Sequence, residues 1–430
     1  MADLTARAGL VWSDDVVGSA DVIAAAGVRS VADSTRLRVA FVNSGILGHT
    51  SVARLLADCA REMPDVDDVH VDLGRNLNWL DRGLRGVLSV RLAPIAGPLA
   101  NLDLRRWRQE LNVGLLAKRR LDVIEASGRF DVLHFHTQAS AYASLARMRR
   151  TPAIVSIDIT QTLASTELPP GLARHSYGPN ILHDRLVFRA AAAITATSQW
   201  AARDLTERYP ECAHKVHVMP YPVRPLADDS WIDARWRRAA ETCRVGRDAS
   251  RPRALFIGGD FARKGGDDLL AAWHDDRLHE VAALDLVTSA PLAPDRLPTG
   301  VRHITGVAAY SPEWQHLWRQ ADLFVMPSRA EAFGMVYQEA AAAGLPVVAT
   351  RLAAIPEIVS AGETGLLVPP GDPAALARAI RELAASRDLR RQLGAAALDG
   401  VRRTATIEGY AARLHNLLTT AVFEHGFHHA

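Results

Sequence analysis

Short apolar runs recur along the chain, each followed by a glycine-bearing or polar turn and then by a stretch with helical spacing. The first run covers residues 37–42 (LRVAFV) and ends in a turn over 43–48. After it, Val52, Leu55, Leu56 and Cys59 fall on one face of a helix. The rhythm predicts further strands at 131–135, 153–157, 193–197 and 215–219, with Ser198 placed to cap a helix starting near Trp200. A second series opens after Arg253. Strands are expected at 254–258, 284–288, 301–305, 323–326 and 346–350. Helices are expected at 266–273, 312–320, 335–343, 372–386 and 407–423. Alternation of this kind predicts α/β architecture, with parallel sheets covered by helices on both faces, because parallel strands require crossover connections.

Two such series need two cores. A chain of 430 residues also exceeds one ordinary core and suits two domains of roughly 200 residues each. Pro220, Pro222 and Pro225 stiffen the connection between the series, which places the domains at 35–224 and 225–405. Residues 1–34 read as a peripheral extension. The last helix, 406–430, is expected to be able to cross back to the first domain.

Composition narrows the class. Hydrophobic residues at 48% and charged residues at 23% are those of a globular protein. The most apolar stretch, 87–104, is broken by Arg91, Pro94 and Pro98, so no membrane span is expected. The N-terminus lacks the basic-then-apolar order of a secretory signal. Cys59, Cys212 and Cys243 show no CxxC spacing and suit a reducing cytoplasm, with neither a disulfide framework nor a zinc site. A net charge of +2 gives no reason to expect nucleic acid as a partner.

The charge is uneven, however. Residues 75–120 carry ten Arg or Lys against Asp81, Asp103 and Glu110. That segment is expected either to be a solvated face or to meet an anionic partner, a membrane surface or a negatively charged acceptor. Lys118, Lys215 and Lys264 are the only lysines among 50 basic residues, which singles out any site that uses one.

Two segments carry chemistry. In 255–266 (LFIGGDFARKGG) a strand enters a glycine-bearing loop with Gly259, Arg263 and Lys264 and then opens a helix. Such a loop presents backbone N–H groups and cations, as a phosphate site needs. It matches neither GxxxxGK[ST] nor GxGxxG. In 324–340 (FVMPSRAEAFGMVYQEA), Glu331 precedes a helix and Glu339 lies inside it. Both carboxylates can border one cleft at the helix N-terminus, where they would accept hydrogen bonds from sugar and ribose hydroxyls.

These segments, with GLPVVAT at 344–350, PEIV at 356–359 and GETGLLVPPGD at 362–372, resemble family 4 retaining glycosyltransferases. The similarity is dense over 255–379 and looser before it. It implies the GT-B fold, two Rossmann-like domains facing across a cleft, with the acceptor bound by the first and a nucleotide-sugar by the second. Glu331 and Glu339 stand as that family's Glu-x7-Glu pair. The resemblance implies that Lys264 and Arg263 hold the donor diphosphate, that Glu331 touches donor-sugar hydroxyls and that Glu339 binds ribose. Backbone N–H groups at Phe333, Gly334 and Met335 would approach sugar and phosphates, and the segment 303–307, with Gly306 and Val307, would lie beside the base. In the first domain DVLHFH at 131–136 is similar to the family's Asp-Val-x-His-x-His strand end, which places His136 near the reacting carbon. Gly48 and His49 match an acceptor-side loop, and Asp158 ends a strand that can face the same cleft.

Some positions depart from the family. Gly259 stands where an arginine is usual, Leu47 replaces a loop glycine and Ala354 another.

The implied reaction is transfer of a sugar, a UDP-hexose being favoured, to an acceptor hydroxyl on a small molecule, glycan or lipid. No cofactor and no metal are expected, since the one Asp-x-Asp sequence, 65–67, reads as a polar connection. The resemblance places the protein in the cytoplasm and permits contact with the inner membrane face. A nucleotide-sugar epimerase or a phosphorylase of the same fold, or a non-catalytic nucleotide-binding module, remain open. A phosphorylase would need pyridoxal phosphate, and none of the three lysines stands in a context recognisable for it.

Overall fold

The computed structural model describes residues 36–45, 49–74, 77–90, 104–166, 172–235, 237 and 251–429. The extension expected at 1–34 and the turn residue Gly48 lie outside them. The chain forms two compact units. Unit one comprises the chain up to Ala196, with Asp204–His217 and the residues from Ala412 onward. Unit two comprises Thr197–Arg203 and Val218–Ala411.

Unit one is built on a six-stranded sheet of β1 (Leu37–Asn43), β2 (Val66–Asp72), β3 (Val132–His136), β4 (Ala153–Ile157), β5 (Ala193–Ala196) and β6 (Val216–Val218), in the order β2-β1-β3-β4-β5-β6. The pairings from β2 through β5 are parallel. Its longer helices are α1 (His49–Arg61), α2 (Trp79–Ser89), α3 (Arg105–Glu125), α4 (Gln161–Thr166) and α5 (Gly178–Ala190); α6 (Gln199–Arg208) follows β5. The Ser198 hydroxyl accepts from the Ala201 N–H at 3.1 Å, the expected cap. β3 and β4 are buried along their whole length, as apolar runs in a sheet covered on both faces must be.

Unit two repeats the plan with β7 (Arg253–Ile257), β8 (Ala283–Val287), β9 (Val301–Ile304), β10 (Leu323–Met326), β11 (Val347–Thr350) and β12 (Gly365–Val368), in the order β12-β11-β10-β7-β8-β9, all parallel. Around it stand α7 (Gly266–Asp275), α8 (Pro312–Gln320), α9 (Met335–Ala342), α10 (Pro373–Ala385) and α11 (Arg387–Thr404). The side chains of Ser311 and Asp372 cap α8 and α10, accepting from Trp314 at 3.2 Å and Ala375 at 2.8 Å. The final helix, α12 (Ile407–His429), begins in unit two and contributes its residues from Ala412 to unit one.

Several elements differ from the sequence expectation. β2 (VDDVHVD) is too polar to read as a strand, yet it hydrogen-bonds along the edge of β1 through its full length. Of the Asp-x-Asp sequence, expected as a polar connection, Asp65 lies in the turn before β2 and Asp67 in the strand itself. Asp67 lies 3.5 Å from the Arg38 guanidinium, and Asp65 is hydrogen-bonded to His415 at 2.8 Å. α11 was also unexpected, because its sequence is rich in arginine and contains Gly394. A Cβ at Gly394 would stand 2.3 Å from the Gly344 carbonyl oxygen, so the glycine permits the helix to lie close against the turn after α9.

Candidate active site

In an open parallel sheet, loops leaving adjacent strands diverge where the strand order reverses, and ligands bind in the crevice beyond the strand C-termini. In unit two that reversal falls between β7 and β10, with β8 and β9 on one side and β11 and β12 on the other. The loop after β7 carries Gly259, Arg263 and Lys264; the loop after β10 carries Glu331, Phe333 and Gly334. The two chemically marked segments are therefore brought together by topology.

They are also locked together. The Arg329 N–H donates to the Arg263 carbonyl at 2.9 Å, and the Arg263 guanidinium returns a bond to the Ala330 carbonyl at 2.9 Å. Gly265 has φ +74°, and a Cβ there would meet the Pro327 carbonyl oxygen at 1.9 Å, so only glycine allows this approach. The Lys264 ammonium is hydrogen-bonded and ion-paired to Oε2 of Glu331, with the side chains only 14% and 9% exposed. Burial holds the Lys264 pKa below that of an ordinary lysine, while the Glu331 carboxylate opposes the shift. Arg263 stands 3.8 Å from the other Glu331 oxygen and is also paired with Asp260 at 3.2 Å.

Gly334, at φ +91°, turns the chain into α9; a Cβ there would meet the Tyr337 ring at 2.6 Å. Tyr337 is buried, and its hydroxyl lies 3.1 Å from both the Met326 carbonyl and the Ser328 hydroxyl, fixing the first turn of α9. Phe333 is buried edge-on to Tyr221 and Met335 is half-buried. Glu339 is partly buried and accepts a hydrogen bond from the Tyr310 hydroxyl at 2.8 Å. Burial pushes its carboxyl up to about 7, against the opposing pull of Tyr310 and of the Lys264 charge. Lys264 thus acts electrostatically on both glutamates. Gly259 and Gly306 are exposed, with open space where a Cβ would be, and Val307 is half-buried.

In unit one the order reverses between β1 and β3. His136, the last residue of β3, is buried opposite Asn43, and its carbonyl accepts from the Ser44 N–H at 3.3 Å. The close glycine of this turn is Gly45, at φ +66°, where a Cβ would meet the Gly74 backbone at 2.5 Å. His49 opens α1, but its side chain, like Gly48, lies outside the described residues. Asp158 is half-buried just beyond β4.

Unit one also holds a polar network. The Tyr142 hydroxyl is 3.1 Å from Asp184 and 3.2 Å from Glu110, and Asp184 accepts the Gln161 N–H at 2.8 Å. Gln161 and Asn180 side chains donate to Glu110 at 3.0 and 2.6 Å. Full burial raises the Asp184 pKa well above the usual carboxylate range. The network holds the start of α4, three residues after Asp158.

Comparison with known proteins settles what kind of protein has these features. A family model described as glycosyl transferases group 1 matches residues 251–386, and one described as glycosyltransferase family 4 matches residues 52–225. The chain belongs to this family of glycosyltransferases. A D-inositol 3-phosphate glycosyltransferase 1 from Catenulispora acidiphila is 31% identical over 68% of this chain and 72% of its own length. The D-inositol 3-phosphate glycosyltransferase of Xylanimonas cellulosilytica is 28% identical over 74% of this chain and 79% of its own. Among solved structures, sucrose-phosphate synthase from Thermosynechococcus elongatus has a TM-score of 0.66 at 19% identity, covering 90% of this chain and 99% of that one. Anabaena HepE, crystallised with UDP and glucose, has a TM-score of 0.61 at 17% identity, covering 90% of this chain and 100% of that one. These two likenesses show the GT-B fold.

In this glycosyltransferase Lys264, Arg263 and Glu331 meet directly, and Glu339, held by Tyr310, lies in α9 eight residues after Glu331. His136, Asp158 and His49 belong to the other unit. Sequence reasoning missed Tyr310, whose hydroxyl holds Glu339, whose ring lies tilted against Trp314 with centroids 4.9 Å apart, and over which Arg224 lies at 5.1 Å. No sequence signal marks it, since the contact joins a loop to a helix 29 residues later. The Glu110–Asp184 network was missed for the same reason.

Proposed function

We propose that this glycosyltransferase moves a hexose from a UDP-hexose to an acceptor hydroxyl with retention and without a metal ion. The observation that carries the reading is the Lys264–Glu331 pair, set at the reversal of the unit-two sheet beside the N-terminus of α9. In this reading the diphosphate takes Lys264 from Glu331. The freed carboxylate then accepts hydrogen bonds from sugar hydroxyls, and Glu339 exchanges the Tyr310 hydroxyl for ribose. Gly334 and Met335 present backbone N–H groups to the phosphates, Phe333 closes the sugar side, and Gly306 and Val307 border the base. Arg263, whose guanidinium is engaged by Asp260 and Ala330, keeps the two loops in register and adds positive charge.

As the bond to the anomeric carbon breaks, negative charge develops on the leaving diphosphate. A fixed ammonium and helix N–H groups stabilise it as it forms. The leaving phosphate can itself accept the acceptor proton, which accounts for retention without a side-chain base. His136 and Asp158 are assigned to the acceptor side. Relatives named for D-inositol 3-phosphate make that compound the first acceptor to try.

The test is transfer from labelled UDP-glucose to an acceptor panel led by D-inositol 3-phosphate, in excess chelator, with the anomeric configuration of the product read by NMR. An α-linked product in chelator is expected. A β-linked product or a strict magnesium or manganese requirement overturns the reading.

A further inference from the structure

We propose that the buried Glu110–Tyr142–Asp184 relay is the positioning device of unit one: it fixes the turn at 159–161, directly after Asp158, for acceptor binding. The proposal rests on reading Asp158 and its loop as the acceptor side. Glu110 and Asp184 stand in the second turns of α3 and α5, helices that lead into β3 and β5. There they meet residues just past the ends of β3 and β4, the end at which an open parallel sheet binds its ligands. Each residue of the turn is tied. The Gln138 amide, two residues after His136, donates to the Ile159 carbonyl at 3.0 Å, and the Thr160 hydroxyl donates to Asp204. The Gln161 N–H donates to Oδ2 of Asp184 at 2.8 Å and its side-chain amide to Glu110 at 3.0 Å. Connecting loops ordinarily run over the surface and move. This one is fastened to side chains that are themselves buried, since Gln138, Gln161 and Asp184 are at most 5% exposed.

Counting protons shows how the relay is wired. The Tyr142 hydroxyl has one proton, yet Oδ1 of Asp184 lies 3.1 Å from it and Oε2 of Glu110 3.2 Å. Glu110 is ion-paired with Arg106 at 3.1 Å and also accepts the Asn180 amide at 2.6 Å. Asp184 is fully buried and, among the described residues, has no cation paired with it. A buried carboxyl without a counter-charge keeps its proton. Asp184 therefore donates to the Tyr142 oxygen, Tyr142 donates to the Glu110 carboxylate, and Oδ2 of Asp184 is left to accept the Gln161 N–H. The titratable groups facing Asp184 are Glu110 on α3, Tyr142 after β3 and Tyr209 after α6. Burial pushes the Tyr142 hydroxyl well above its ordinary value and that of Tyr209 up to about 12. Both phenols stay protonated, so the relay opens when Asp184 itself ionises and two carboxylates are left to share one phenol proton.

Transfer is measured across pH with D-inositol 3-phosphate varied at saturating UDP-glucose, which keeps Glu339 out of the reading, and UDP affinity is measured by calorimetry. Asp184→Ala leaves Tyr142 and the Gln161 N–H without their partner. Its acceptor KM should rise at least ~10-fold, while UDP affinity, set in unit two, is unchanged. Asparagine offers the same acceptor and donor as a protonated carboxyl. Asp184→Asn should therefore restore the acceptor KM and abolish its pH dependence. In the original chain the Asp184 value is raised by folding, so the relay is intact in the ordinary carboxylate range and is lost, with a rise in acceptor KM, as pH climbs through the raised value. Three results overturn the proposal: an unchanged acceptor KM in Asp184→Ala, an equal loss of UDP affinity, or an Asp184→Asn variant that matches Asp184→Ala. The acceptor-side reading fails separately. If Asp158→Asn keeps the acceptor KM, Asp158 is not an acceptor residue. If no acceptor is used at all, hydrogen exchange at 159–166 decides: the relay stands if Asp184→Ala alone loosens that segment and falls if both variants exchange like the original chain.

Discussion

Lys264 and the two glutamates set the behaviour expected of single residues. Replacing Lys264 by alanine removes a preorganised cation, an effect of ~10²–10³ in rate where such groups have been removed. Lys264→Ala is therefore expected to lose at least that much transfer while remaining folded, with a lower unfolding temperature because Glu331 is left buried without its cation; full activity would refute the role. Glu339 gives a pH signature. Its carboxyl is raised from 4.5 to about 7, so its protonated form is the one the fold favours. Its contribution to stability is fully present below pH 4.5 and is lost as pH rises through about 7. Nucleotide affinity should run the other way, strengthening over that window as the carboxylate becomes available to ribose. Calorimetric titration with UDP should show this rise in the original chain and a flat, weaker profile in Glu339→Gln. A matching rise in Glu339→Gln assigns the pH dependence elsewhere.

Between residue and unit, the loops after β7 and β10 act as one element. Their contact depends on Gly265, which is both left-handed and within 1.9 Å of a carbonyl at the missing Cβ. Gly265→Ala must strain that backbone or move Pro327, at a cost of ~1–3 kcal/mol for the left-handed conformation alone. Because the same contact sets Lys264 against Glu331, UDP affinity should fall together with the unfolding temperature. A variant that keeps both would show that the loops do not depend on the glycine. The strands of this element were readable from sequence because buried parallel strands are runs of apolar residues. Residues 323–326 and 312–320 were placed at their observed bounds for that reason and because Ser311-Pro312 marks a helix start. β2 was not readable, since an edge strand is stabilised by backbone pairing to β1 and needs few apolar side chains.

At the scale of the whole chain, α12 links the ends of the sequence. Leu414 and Leu418 are fully buried in residues assigned to unit one, and His415 bonds to Asp65 some 350 positions earlier. Ending the chain after Ala411 would remove two buried leucines worth ~1.5–3 kcal/mol each. Unit one is expected to unfold earlier while unit two, which keeps all its strands, still binds UDP. Equal unfolding of both chains, followed by calorimetry, would show that α12 is dispensable. The sequence by itself determined the two α/β series, the family, and the glutamate pair with its lysine. Apolar runs, glycine turns and motif spacing are local properties that survive in one dimension. The tertiary structure alone decided that Lys264 is held by Glu331, that Tyr310 occupies Glu339, and that Arg106, Lys118 and Arg119 of the basic run pair with acids of unit one. Those outcomes depend on which strands lie side by side and which side chains lose water, and neither is written in the order of neighbouring residues.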